Sequence, residues 1–114
     1  MPVTYVIEFH VVPAERGRFL ELLGGVLDAM RGEATFHEAV LHRDPGSAHH
    51  FMLYETWESH DDVLNVQLHR SYRRAWHEAL PTLLQQERGV AMWEPIRADR
   101  GAAPSFAPTL VEEN

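Results

Sequence analysis

The centre of the chain, residues 35–57, reads TFHEAVLHRDPGSAHHFMLYETW. Two segments, 35–43 and 49–57, are rich in β-branched and aromatic residues, which favour extended structure. Asp44-Pro45-Gly46-Ser47 between them has the composition of a chain reversal. The pattern predicts a β-hairpin with a four-residue turn.

The predicted turn also sets a register for the hairpin. Placing Arg43 opposite Ala48 puts Val40 opposite Phe51 on one sheet face. The same register brings His42 and His49 together across the two strands. No third ligand stands at a spacing typical of zinc sites, so we predict no metal site.

Upstream of the hairpin, residues 3–12 alternate as in a strand and residues 14–31 have helical periodicity. Pro13 separates the two segments. The strand has one fully apolar face, formed by Val3, Tyr5, Ile7, Phe9 and Val11. The apolar positions of the helix are Phe19, Leu20, Leu23, Val26, Leu27 and Met30.

Downstream, Ser59 is predicted to cap a second helix, with Asp62 three residues later in a near capping box. We expect this helix to run to Pro81, with a possible break near His69-Arg70-Ser71. Its apolar stripe is Leu64, Leu68, Tyr72, Trp76 and Leu80. Residues 89–96 then predict a fourth strand.

The element order is strand, helix, strand, strand, helix, strand, which is typical of ferredoxin-like α+β folds with a four-stranded antiparallel sheet. Helices cover one face of such a sheet, yet the first, third and fourth strands have apolar residues on both faces. We therefore expect a second copy of the chain to cover the other face, forming a homodimer.

The chain has 114 residues and 45% hydrophobic content, which suits one domain, predicted over residues 1–97. Residues 98–114 read as a tail, with Phe106 and Leu110 expected to pack on the domain or across the dimer.

The charge and the cysteine content limit the function classes. The formal net charge of −7 disfavours a nucleic-acid partner, and the lack of cysteine excludes disulfides and thiolate sites. The N-terminus does not resemble a signal peptide, and no run is long enough to span a membrane. A cytoplasmic location is the resulting expectation.

Two stretches carry a family resemblance. Leu41-His42-Arg43-Asp44-Pro45 and the run from Phe51 to Ser59, FMLYETWES, resemble the central hairpin of the antibiotic biosynthesis monooxygenase superfamily. His69, Tyr72 and Leu80-Pro81 resemble the helix that covers the substrate pocket in that family. The resemblance spans about residues 3–97.

The resemblance implies a dimeric α+β barrel with a pocket in each subunit and a cofactor-independent oxygenation of a small aromatic quinol or phenol by O2. It also implies that Trp57 and His69 line the pocket and serve catalysis. Haem-degrading members pair these positions with an asparagine on the first strand, and residues 3–12 contain none. That departure argues against haem.

Such a reaction needs an apolar pocket with a general base that can deprotonate the substrate. We predict His69 as the base and Trp57 and Trp76 as the walls around the aromatic ring. Tyr72 is expected to hold a substrate oxygen. Phe51 and Trp93 complete the predicted substrate contacts.

On a single helix His69, Tyr72 and Trp76 would share one face, at i, i+3 and i+7. The ordinary alternative is that Trp57, Tyr72 and Trp76 are core residues and His69 ends or kinks the helix. A non-catalytic binding or signalling dimer of the same fold is the rival function.

Overall fold

The computed structural model describes residues 1–102, and within them four antiparallel strands and three helices form an α+β fold. The strands are β1 Val3–His10, β2 Phe36–Arg43, β3 His50–Trp57 and β4 Gly89–Trp93. The helices are α1 Arg16–Met30, α2 His60–Asn65 and α3 Arg74–Leu83. The order β2-β3-β1-β4 confirms the predicted ferredoxin-like sheet.

Residues of β1 alternate between the helix-covered face and the outer face of the sheet. Phe9 is fully buried against α1 and α3, whereas Glu8 beside it is exposed. Helix α1 begins after a short 3₁₀ turn, Pro13–Glu15, and buries Phe19, Leu23, Val26 and Met30 at helical spacing. The periodicity of the sequence therefore identified both elements correctly.

The predicted hairpin register is wrong by three residues. Val40 pairs with Tyr54 instead of Phe51, and His42 pairs with Met52 instead of His49. The loop has six residues, because the Asp44 backbone N–H donates to the His50 carbonyl at 2.9 Å. A slip by an odd number exchanges the two faces of one strand relative to the other, so His42 and His49 do not meet across the hairpin.

The second predicted helix is broken, as its sequence indicated. Ser59 caps α2, and its Oγ accepts a hydrogen bond from the Asp62 N–H at 3.0 Å. Two 3₁₀ turns, Gln67–His69 and Ser71–Arg73, then lead into α3.

The predicted end of this helical region at Pro81 is wrong. Pro81 lies inside α3, which continues to Leu83. The last turn still closes because the Leu84 N–H donates to the Leu80 carbonyl at 3.2 Å. Proline removes one backbone N–H donor from the helix, and α3 ends two residues after it.

The two faces of the sheet differ in how far they are buried. The helices bury one face, where the largest core side chains lie, whereas Val6, Val40 and Tyr54 on the outer face are only partly buried and Trp93 is 64% exposed. None of the described helices is long and apolar enough to cross a membrane.

Residues 94–102, beyond β4, have no regular secondary structure and are exposed. Arg100 forms an ion pair with Glu38 at 3.3 Å, which connects this segment to β2. The predicted packing of Phe106 and Leu110 lies outside the described residues.

Candidate active site

A cavity of about 270 Å³ opens between the helix-covered face of the sheet and the segment from α2 to α3. Most of its walls are apolar. The apolar lining residues are Ile7, Phe9, Leu23, Val26, Met30, Leu53, Val63, Leu64, Leu68, Trp76 and Val90. The polar lining residues are Tyr5, Glu55, His60, Arg73, His77 and Arg88. Such a cavity can take a small aromatic molecule and hold a few specific polar contacts to it.

Glu55 is the buried carboxylate of the cavity, with 7% of its surface exposed. Its Oε1 accepts a hydrogen bond from Trp57 Nε1 at 2.8 Å. Burial raises the pKa of Glu55, and the Trp57 N–H, Arg73 and Arg88 offset that rise only in part. A carboxylate with a raised pKa is well suited to accept a proton from a weak acid.

Arg73 is the most buried cation of the cavity, with 6% of its surface exposed. Its guanidinium carbon lies 5.8 Å from the centre of the Trp57 ring and 5.5 Å from that of Tyr72. Its Nε is buried and has no hydrogen-bond acceptor among the described residues. A buried donor without an acceptor is costly, so Arg73 is incompletely hydrogen-bonded at the point where it lines the cavity.

Arg88 and His77 complete the basic side of the cavity. Burial lowers the pKa of Arg88 and the charge of Arg73 lowers it further, while the charges of Glu55 and Glu87 offset this only in part. Burial, together with the charges of Arg88 and Arg73, lowers the pKa of His77 below its ordinary value of 6.5. His77 is therefore a neutral imidazole near pH 7.

Tyr5 and His60 form a hydrogen-bonded pair in the cavity wall. The Tyr5 hydroxyl and His60 Nδ1 lie 2.7 Å apart. Tyr5 is also the register partner of Glu55 across β1 and β3. Burial raises the pKa of Tyr5, and the charge of Glu55 adds to the rise, so the hydroxyl keeps its proton and can donate it in a hydrogen bond.

Comparison with known proteins decides the family. Residues 2–79 match the family described as antibiotic biosynthesis monooxygenase. The chain belongs to this family. It is also 31% identical, over 103 residues, to the candidate monooxygenase GME11364 of Pestalotiopsis microspora, across 88% of this chain and 84% of the relative.

Solved structures show the same fold at low sequence identity. Rv0793 from Mycobacterium tuberculosis superposes with a TM-score of 0.77 at 18% identity, over 86% of this chain and 98% of its own. SnoaB from Streptomyces nogalater, described as a cofactor-independent oxygenase, superposes with a TM-score of 0.72 at 18% identity, over 85% of this chain and 95% of SnoaB.

Of the six residues predicted for the site of this monooxygenase-family chain, Trp76 is the one that lines the cavity. Trp57 is fully buried behind it, where it contacts Glu55 and Arg73. Phe51 lies in the core, with its ring centre 5.0 Å from that of Phe19, and is not part of the cavity wall.

His69, Tyr72 and Trp93 lie away from the cavity. The break between α2 and α3 removes the common helix face, so His69 is exposed at the end of a 3₁₀ turn. The Tyr72 hydroxyl donates to Glu33 at 2.9 Å. Trp93 lines a second cavity of about 240 Å³ at the end of the sheet. The geometry therefore gives no support to the expected role of His69 as the base.

The histidines of the outer sheet face form a cluster that the sequence did not predict. Glu8, His10 and His50 have ligand atoms within 4.8 Å of one another, which is close enough to share a metal ion. His50 already bridges two carboxylates, with Nε2 2.8 Å from Glu8 and Nδ1 2.9 Å from Asp44. The rings of His10 and His50 stack 4.3 Å apart. A hydrogen-bonded surface network accounts for these contacts.

Sequence reasoning missed Glu55, His77 and Arg88, whereas Arg73 belongs to an arginine cluster, with Arg70 and Arg74, from which the sequence suggested a contact to an anionic substrate. One signal was present for Glu55, because it occupies the same alternating phase as the apolar residues of the 49–57 segment. A charged residue in that phase indicates a buried site. Arg88 gave no such signal, since the path of the chain between α2 and β4 depends on the helix break.

Proposed function

We propose that this protein is a cofactor-independent monooxygenase that oxidises a small phenol or quinol with O2. The observation that carries the proposal is the buried carboxylate of Glu55, with a raised pKa, in a cavity whose walls are mostly apolar. Membership in the monooxygenase family supports it, as does the likeness to the P. microspora relative and to SnoaB.

The reaction needs electrons that the substrate itself supplies. An electron-rich phenol or a quinol that loses its proton can transfer electrons to O2. In the complete reaction a phenol and O2 give a quinone and water, so that one oxygen atom enters the ring and the other leaves as water. The substrate loses four electrons, and O2 gains them.

Glu55 is the general base of this proposal. Taking the phenol proton neutralises a buried carboxylate, while Arg73 and Arg88 remain beside the new phenolate. Charge therefore moves from one group to another inside the cavity, with no net charge separated in a region of low dielectric. Trp76 packs against the aromatic ring, and the Tyr5 hydroxyl can donate to a substrate oxygen when the His60 Nδ1–H is the donor in the Tyr5–His60 hydrogen bond.

Trp57 acts through Glu55 as a positioning residue. Its indole N–H holds one carboxylate oxygen, and its ring packs against the Arg73 guanidinium. The sequence prediction that Trp57 serves the site is retained in this form. His69, which is exposed, has no part in it.

Oxygen uptake with a panel of phenols and quinols tests the proposal. Glu55→Gln removes the base while keeping a similar shape, and we expect kcat to fall roughly 100-fold or more. His69→Ala is the matched control and should keep the activity of the wild type. The proposal fails if no member of the panel is consumed above the buffer rate, or if Glu55→Gln retains full activity.

The functional unit in this proposal is a homodimer. Two sheets pressed together by their outer faces would cover Val6, Val40, Tyr54 and Trp93, which the helices of one chain leave partly or largely exposed. Partner contacts of this kind are typically made by a two-fold symmetric pair.

A non-catalytic binding protein is the second candidate function. The observation that favours it is the position of His69, which the family resemblance places in the pocket and the structure places on the surface. Binding of a phenol with no oxygen uptake, unaffected by Glu55→Gln, would establish this candidate over the enzyme.

A further inference from the structure

The charges that face the cavity do not balance. Arg73 and Arg88 contribute two positive charges, and Glu55 contributes one negative charge. The pKa of His77 is lowered, so this residue is neutral near pH 7, and the imidazole of His60 brings no negative charge to the cavity. Glu87, the other carboxylate that acts on Arg88, is exposed and lies outside the cavity wall. Among the described residues that line the cavity, one positive charge is therefore left over.

An excess charge in this place is costly. Arg73 is more than nine-tenths buried and its Nε has no acceptor within residues 1–102, so water does not compensate its charge as it would on the surface. Proton transfer from a phenol to Glu55 does not remove the excess, because the negative charge only moves from Glu55 to the phenolate. A neutral phenol thus leaves the cavity with the same surplus before and after it ionises.

We propose that the substrate carries a permanent carboxylate in addition to its phenol, and that Arg73 and Arg88 bind this carboxylate. A single negative charge brings the cavity to neutrality, and the planar guanidinium matches a carboxylate in shape. A phosphate, with nearly two charges, would reverse the imbalance. The inference rests on the proposed function in one respect, that this cavity is the substrate site.

Two matched probes test the inference without turnover. 3-Hydroxy-2-naphthoate and 2-naphthol differ only by the carboxylate, and their binding to the full chain is measured by calorimetry under nitrogen. We expect the hydroxynaphthoate to bind at least about tenfold more tightly. Arg88→Met and Arg73→Met should each reduce this preference, whereas Arg74→Met, at an exposed neighbouring position, should keep it.

Equal affinity for the two probes in the wild type would overturn the inference, and this comparison needs no variant to fold. A preference that survives in both Arg73→Met and Arg88→Met would also overturn it.

The outcome is separable from that of the proposed function. Tighter binding of the hydroxynaphthoate, without oxygen uptake from any phenol, would support the inference and contradict the proposed monooxygenase activity. Oxygen uptake from both probes, with equal binding of the two, would support the enzyme and overturn the inference.

Discussion

At the scale of single residues, Trp57 contacts a carboxylate, a guanidinium and an aromatic ring that come from three different segments of the chain, one of them its own strand. It donates to Glu55 on its own strand, packs against Arg73 from the segment before α3, and contacts Phe36 edge-on across the hairpin at 5.1 Å between ring centres. Its value to the site lies in fixing two charged side chains, because it does not itself reach the cavity.

Trp57→Phe tests this positioning role. The Trp57 N–H lowers the pKa of Glu55, so its loss lets that pKa rise further. The base must be ionised to work, and the acid limb of the kcat/KM profile should therefore move to higher pH. Trp93→Phe, at a tryptophan that is 64% exposed, is the control and should leave the profile in place. An unchanged profile in Trp57→Phe contradicts the role of Glu55 as base.

Glu33 holds the end of α1 to the segment before α3. It accepts hydrogen bonds from Tyr72 at 2.9 Å and from two nitrogens of Arg70 at 3.0 and 3.1 Å. Burial alone would raise the pKa of Glu33, but the hydrogen bonds from Tyr72 and Arg70 and the charge of Arg70 outweigh burial and lower it.

We expect Glu33→Gln to lower the free energy of unfolding by about 1–3 kcal/mol at pH 7. Because the folded pKa is lowered, the stabilisation by Glu33 exists above the ordinary value of 4.5 and is lost as the pH falls through the folded pKa. The difference in the free energy of unfolding between wild type and variant, measured by urea denaturation, should therefore be smaller in acid than at pH 7. Glu21→Gln, at an exposed position on α1, should have the same free energy of unfolding as the wild type both at pH 7 and in acid.

At the scale of secondary structure, the segment from Ser59 to Leu83 forms one side of the cavity. It is not one continuous helix, and the 3₁₀ turns between α2 and α3 place Arg73 on the inside and His69 on the outside. Short helices such as α2 gain little from their own backbone hydrogen bonds, so capping and packing decide whether they form.

Ser59→Ala removes the cap of α2. The Asp62 N–H loses its acceptor, and we expect a loss of about 1 kcal/mol in the free energy of unfolding. Because α2 contributes Val63 and Leu64 to the cavity wall, ligand binding should weaken as well. Ser71→Ala, at an exposed serine that does not cap a helix, is the control. Equal stability of the two variants would show that the cap contributes nothing.

At the scale of the whole molecule, the sheet separates a closed face from an open one. The closed face holds the core and the cavity, and the open face presents a mixture of apolar residues with the Glu8, His10 and His50 cluster. A patch of partly exposed apolar side chains on a sheet face is typical of a surface that binds another protein.

Val6→Arg tests the proposed homodimer. Val6 lies on the outer face of the central strand β1, between Tyr54 and Ala91. A charge there would have to be desolvated in the dimer, so sedimentation should change from twice the mass of one chain to the mass of one chain. Ala75→Arg, at an exposed position of α3, should remain dimeric. A wild-type chain that sediments as a monomer rules out the dimer.

The sequence by itself determined the element order, the buried faces of β1 and α1, the cap at Ser59 and the family. These follow from local patterns, because alternation, helical spacing and capping act over a few residues. Glu55 was also accessible in principle, as a charge in a buried phase.

Only the tertiary structure decided the hairpin register and the members of the site. The register depends on hydrogen bonds inside the loop, such as the one between Asp44 and His50. The site depends on how the chain turns between α2 and α3, which exposes His69 and buries Arg73. Both are set by contacts between residues far apart in the chain or by loop geometry, and periodicity carries no information about either.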